Sequence, residues 1–375
     1  MKKNISIALL FFSALLLFVG CGKKNLSTDT HPDNASLTLQ KVTQFAKVLE
    51  KSILSETPNP DIFNSAFDQT HLRKVLSENS IVSSALDLDY GQQIFEGNLN
   101  YGFRACAVVE SGGDFRLDTC YEKAGLFHAV FRIYDTLGYL QFDDFTIGAN
   151  AKGECVIKDE FSYNLSCLLS TKMISEIKYN ALRNIEQPDS SSLMIQKVVE
   201  LSKTGGYAEI LQILKSNPTL AQEYPAYNMY YIMAIDHVST QYMADLEWMK
   251  NTGADERFLL VHAINHLVSI GEADEAFKTM NRLMDYTSDD PIYWVVFGKT
   301  LTNNKKYEDA LSAFQNAKLA LPYIWDIWFN ELRCYYALGK AETFASCLDA
   351  GKQLYGMKEE ELQALARKNF PQFAR

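Results

Sequence analysis

The chain has 375 residues, 47% hydrophobic and 22% charged, with 46 acidic side chains against 36 basic and a formal net charge of −10. This composition excludes a disordered or collagen-like chain, and the length suits about two domains. The acidic balance argues against nucleic acid as a partner.

The first element is "MKKNISIALLFFSALLLFVGCG", with Lys2 and Lys3 ahead of an apolar run from Ile5 to Val19. The run is short for a bilayer span, which takes about 20 apolar residues, and residues 1–20 read as an export signal. Its end, Val19-Gly20-Cys21, resembles the lipobox of bacterial lipoproteins, with Phe18 where Leu is usual. The resemblance implies cleavage before Cys21, acylation of the Cys21 thiol and, with Gly22 rather than Asp following, lodging in the outer membrane on its periplasmic face. A plain cleaved signal with a chance cysteine is the alternative. Cleavage would remove two Lys and no acid, leaving 34 cations against 46 acids, a net charge of −12. Such a chain would be held to the membrane by its lipid alone. Residues 21–38 are polar and aperiodic, as a tether is.

Helical spacing follows. Residues 39–56 place Val42, Phe45, Ala46 and Leu49 on one face, 60–78 have Pro60 at a helix start, and 80–95 suit a further helix. From residue 98 the period becomes two. "LNYGFRACAVV", "FRLDTCYEKA", "FHAVFRIYD", "GYLQFDDFTIG" and "CVIKDEFSY" read as strands parted by glycine turns. Residues 39–183 therefore form an α+β domain, helices plus a curved antiparallel sheet. "VFRIYDTLGYLQFDDFTI" and "CVIKDEFSYNLSCLLS" resemble the nuclear-transport-factor-2-like fold, a cone of helices against a curved sheet. Some members of that family do acid–base work in the cup with an Asp and a His. The resemblance makes His128, Tyr134, Asp143, Asp144 and Asp159 candidates, although alternation points Asp143 and Asp144 to opposite faces.

Beyond Cys21 six cysteines remain. Cys106 and Cys120 are spaced evenly about a turn at 111–114 in what reads as a hairpin; Cys334 and Cys347 are spaced evenly about Gly339-Lys340, and Cys155 and Cys167 are left as the third local pair. An exported chain meets an oxidising compartment, and three such disulfides would each contribute about 3 kcal/mol. Six free, buried thiols are the alternative. No CxxC spacing suggests zinc.

Residues 184–192, "NIEQPDSSS", read as a linker to an all-α region over 193–358 with a capping helix over 359–375. A shift of 34 residues aligns Leu260, Trp294 and Trp328, then Gly271, Lys305 and Gly339 at turns, then "EADEAF", "KYEDAL" and "KAETFA". This period resembles the tetratricopeptide repeat. The central copy matches best, at Trp294, Gly298, Ala310, Phe314, Ala317 and Pro322, all packing residues. The resemblance implies a solenoid whose concave face is lined by Phe258, Val261, Asn265 and Ser269, by Ile292, Val295, Lys299 and Asn303, and by Asp326, Phe329, Arg333 and Ala337. Lys299 and Arg333 would form a basic spot for a peptide carboxylate. Val295 stands where chaperone-tail-binding members carry a Lys, so their carboxylate clamp is not reproduced.

His262 and His266 lie at i, i+4 without HExxH, and Tyr227, Tyr230 and Tyr231 read as packing. No serine-nucleophile, Walker or dinucleotide motif is present, so no cofactor is expected. The expectation is a non-catalytic, lipid-anchored scaffold for a periplasmic protein or peptide. The alternative is a small-molecule or enzymatic pocket in the cone, with the repeats recruiting its substrate.

Overall fold

The computed structural model describes residues 37–136, 138–182, 190–223 and 227–372. The expected export signal, Cys21 and nearly all of the tether lie outside these residues.

Helix α1 (Leu39–Leu54) starts where the Thr38 hydroxyl accepts the Lys41 N–H, and it buries Val42, Ala46, Leu49 and Ile53. The stretch expected as one helix over 60–78 is two, α2 (Pro60–Asn64) and α3 (Gln69–Ser77). They separate because Phe67 bridges to Ile157 and the Asp68 carboxylate caps α3 through the His71 N–H. Likewise 80–95 divides into α4 (Ser80–Ala85) and α5 (Asp89–Asn98).

Residues 99–109 are not a strand. They form α6 (Tyr101–Glu110), which buries Tyr101, Gly102, Ala105 and Cys106 along one face. The β-branched, aromatic composition matches a strand, but packing overrides it. A Cβ on Gly102 would lie 2.4 Å from the Pro60 carbonyl oxygen, so only glycine lets α6 come this close.

The four remaining expected strands are present as β1 (Asp114–Lys123), β2 (Leu126–Tyr134), β3 (Leu140–Ala149) and β4 (Cys155–Ser162). With the short β5 (Cys167–Leu168) they make an antiparallel meander in chain order. Asp143 opposes Ser162, and Phe145 opposes Glu160. The register shifts between Thr146 and Ile147, where Lys158 is the extra residue of a bulge.

Helices follow: α7 (Leu169–Leu182), α8 (Ser190–Thr204), α9 (Tyr207–Ser216), α10 (Pro218–Glu223), α11 (Tyr227–Val238), α12 (Tyr242–Asn251), α13 (Glu256–Ile270) and α14 (Ala273–Leu283). After them come α15 (Ile292–Asn303), α16 (Tyr307–Lys318), α17 (Trp325–Ala337), α18 (Ala341–Tyr355) and α19 (Glu359–Asn369). The chain is thus a mixed α+β region followed by an all-α one.

The 34-residue period has a structural counterpart. The second helices of three successive pairs begin at Ala273, Tyr307 and Ala341. Each is preceded by the same turn, with Gly271, Lys305 and Gly339 at φ +83°, +60° and +71°. The next N–H reaches back five residues in each turn: Glu272 to Leu267 (2.9 Å), Lys306 to Leu301 (2.9 Å) and Lys340 to Tyr335 (3.0 Å). This is the Schellman ending, which needs a left-handed residue at that point. Gly298 and Phe314 have the expected relation, since a Cβ on Gly298 would lie 2.6 Å from the Phe314 ring.

The described residues divide into two compact units, one within 37–104, 120–131 and 142–259, the other within 105–119, 132–141 and 260–372. The division after Leu259 does not follow the expected linker. Of that linker, 183–189 lie outside the described residues and α8 already begins at Ser190.

Candidate functional site

The expected concave-face residues have unequal fates. Phe258, Val261, Ile292 and Val295 are at most 1% exposed and serve as core. Asn265 and Phe329 are half-buried, while Ser269, Asn303, Arg333 and Ala337 are exposed.

Lys299 is engaged within the second unit. Its Nζ pairs with Asp326 Oδ2 at 2.6 Å and donates to the Tyr134 hydroxyl at 3.2 Å. Tyr134 in turn donates to Asp326 at 2.5 Å. Burial, with Asp326 adding to it, holds the Tyr134 phenol well above its ordinary range, so it stays a donor. Gly138 has φ +85°, and a Cβ there would strike Lys299 Nζ at 1.9 Å. The end of β2 and the following loop therefore press directly on α15 and α17.

The same unit holds further contacts of this kind. Arg132, 1% exposed, pairs with Asp114 at 2.5 Å and Asp290 at 2.9 Å. Asp118 accepts from the Ser288 N–H at 2.8 Å and its hydroxyl at 2.7 Å, while burial pushes its carboxyl up to about 6. Arg116 donates to the Tyr323 hydroxyl. Strand segments 114–119 and 132–141 thus occupy ground expected to be open to a partner. The basic spot is corrected accordingly: Lys299 is neutralised by Asp326, and Arg333, bonded to Asn330, is left without it.

In the first unit Asp143 and Asp144 point to opposite faces, as alternation requires. On one face His128 Nδ1 lies 2.9 Å from Asp144 Oδ1. Asp144 Oδ2 accepts from Tyr121 at 2.6 Å and Arg257 at 3.2 Å. Arg257 also covers the Phe161 and Tyr163 rings, and His128 stacks on Tyr121 at 4.6 Å. Asp144 is a fully engaged anchor.

On the other face Asp143 accepts from Tyr101 at 2.9 Å beneath the packed rings of Phe63, Phe131 and Phe145. The acidic neighbour there is Glu160. Burial, with Asp143 adding to it, pushes the Glu160 carboxyl up to about 8, and its buried Oε2 has no hydrogen-bond partner among the described residues. Lys172, lowered by burial, and Glu176, raised by burial and bonded to Asn98 at 2.6 Å, lie close by. Asp159 is held by Ser170 and by the Glu160 N–H, while burial raises it to about 6. Sequence reasoning named Asp143 and Asp159 but missed Glu160, Lys172 and Glu176. Alternation alone could have put Glu160 on one face with Ser162, but the pairing with Asp143 needs the register.

His262 and His266 are half-buried, and no group of three or more His, Cys, Asp or Glu that could hold a metal occurs among the described residues. Tyr231 stacks on Trp248 at 4.9 Å, and Tyr230 is buried; the Tyr227 side chain lies outside the described residues.

The six described cysteines are free thiols. Cys106 is on a helix and Cys120 on a strand, so the hairpin that suggested their pairing does not exist. Cys155 opposes Ala149 and Cys167 opposes Ser162, seven residues further along β4. At about 3.3 Å per residue that is roughly 23 Å, far beyond the ~6 Å a disulfide spans, and the pair is corrected. Cys334 contacts Thr302 at 3.4 Å, and Cys347 lies 4.0 Å from Glu331.

Compared with known proteins, the chain matches no protein-family model, no curated protein and no solved structure. No described helix is long and apolar enough to cross a membrane.

Proposed function

We propose that the chain is a non-catalytic interaction module, with tetratricopeptide-like helix pairs, held at the periplasmic face of the outer membrane by a lipid on Cys21. The observation that carries the module reading is the threefold recurrence of one helix–turn–helix unit at Gly271, Lys305 and Gly339. Such units present a repeated surface without needing a reactive centre. The signal-like start and Cys21 support the anchor. The partner face is the turn edge, where Ser269, Asn303 and Ala337 recur exposed at the period, because the ground around Lys299 is occupied.

Photo-crosslinking residues placed at positions 303, 337 and 299 of the full chain in its native membranes test this. Adducts are expected from 303 and 337 and not from 299. Adducts from 299 alone, or from none, would overturn it.

A pocket in the first unit has one observation in its favour, the buried Glu160 carboxyl beside Lys172. Groups shifted this way are over-represented at reaction sites. Against it, aromatic rings fill the Asp143 face and His128 is on the other.

A further inference from the structure

The lysines of the three helix pairs, together with Arg333, fall into two groups. Lys278, Lys299, Lys318 and Lys352 are each within 2.7 Å of a carboxylate. Lys305, Lys306, Arg333 and Lys340 form no ion pair among the described residues and are all exposed. These four are not scattered. Lys305 and Lys306 make the α15–α16 turn, Lys340 closes the α17–α18 turn, and Arg333 lies on the last turn but one of α17. The first two turns touch, the Asn304 amide donating to the Gly271 carbonyl, and α15 meets α17 where the Thr302 hydroxyl reaches the Cys334 thiol.

Lys305 adds a second, independent observation. It occupies the left-handed position, φ +60°, that Gly271 and Gly339 fill in the sister turns. A side chain there is strained, and strain retained at one of three equivalent turns points to a use for that side chain.

We infer that this turn edge is a docking surface for a carboxylate-rich segment of a partner protein. The inference rests on the module reading above and names the chemistry of its partner. Charge-assisted bonds to carboxylates are the stronger class of hydrogen bond. Acidic side chains interleave with the cations: Glu308 and Asp309 follow Lys306, and Glu342 follows Lys340. A short acidic segment can follow the cations and step past these acids, whereas a flat anionic lipid surface must meet cations and acids together.

The test uses the full chain in detergent, a fluorescent oligoglutamate peptide and anionic lipid vesicles as probes. The peptide is expected to bind at low ionic strength, to weaken with salt, and to lose roughly tenfold or more in affinity in K305E/K306E/K340E. K278E, at an ion-paired lysine, is expected to leave binding unchanged. K305G is expected to raise the melting temperature while weakening the peptide about threefold, a split that a merely structural Lys305 would not give. Equal binding by the triple variant, or no binding by the wild type, overturns the proposal. Binding to vesicles with none to peptide overturns it in favour of lipid. If crosslinks at 303 and 337 persist while the peptide fails to bind, the anionic partner is wrong and the module reading stands.

Discussion

Replacing Glu160 with Gln should remove most of the alkaline loss of stability of this protein. The wild-type carboxyl is raised from 4.5 to about 8 by burial, with Asp143 close behind and Arg104 and Lys172 opposing. The native chain therefore holds a proton that the unfolded chain has released across that window. Stability falls as pH rises through it and levels off above about 8. Asp118 and Asp159, each raised to about 6, act in the same sense but are finished by that pH. Lys172, lowered by burial, acts oppositely towards alkaline pH. Between about pH 6 and 8 the Glu160 share is roughly 2–3 kcal/mol, at about 1.4 kcal/mol per pH unit. Gln keeps the neutral shape and has no proton to lose. Urea unfolding followed by circular dichroism at pH 6 and 8.5 reads this directly. Whatever the offset between the two proteins at pH 6, Glu160→Gln should gain roughly 2–3 kcal/mol on wild type between pH 6 and pH 8.5. An equal fall in both proteins would refute the placement of a neutral acid in this core.

Gly298→Leu should destabilise the second unit by about 1–3 kcal/mol or more, because the new side chain enters the Phe314 ring; an unchanged urea midpoint would contradict the packing. Arg132→Ala strands Asp114 and Asp290 in a buried setting and should cost about 3–5 kcal/mol in the same assay. Cys21→Ser should move the protein out of the membrane fraction, and retention there would end the lipid-anchor reading. Non-reducing mass mapping of the native protein should find no Cys155–Cys167 link, since β4 separates them.

Periodicity made much of this molecule legible. Residues 115–163 alternate with a period of two over four strands, and α+β followed by α could be read from where that period ends. The 34-residue shift locates turns at 271, 305 and 339 from the sequence alone, and these are the left-handed ones. It succeeded there because a Schellman ending is a local constraint on backbone. It failed at 99–109, where Val108 and Val109 suit a strand but Tyr101 and Gly102 are claimed by Asp143 and Pro60. The concave face was misread for a related reason. Repeat periodicity gives the residues of a face, but not what the rest of the chain lays upon it. Nothing in the spacing of Tyr134 or Gly138 reveals that they meet Lys299. Glu160 escaped notice because acids at a strand end look solvated in sequence, and only burial makes them neutral.

The claim on which the functional reading turns is that the chain closes its own face at Lys299 and leaves the turn edge open. Amine-specific labelling of the native protein, followed by peptide mass spectrometry over time, compares the lysines within one molecule. Lys305, Lys306 and Lys340 should react fast and Lys299 at least about tenfold more slowly, being ion-paired and largely covered. Labelling of Lys299 as fast as Lys305 would contradict the account.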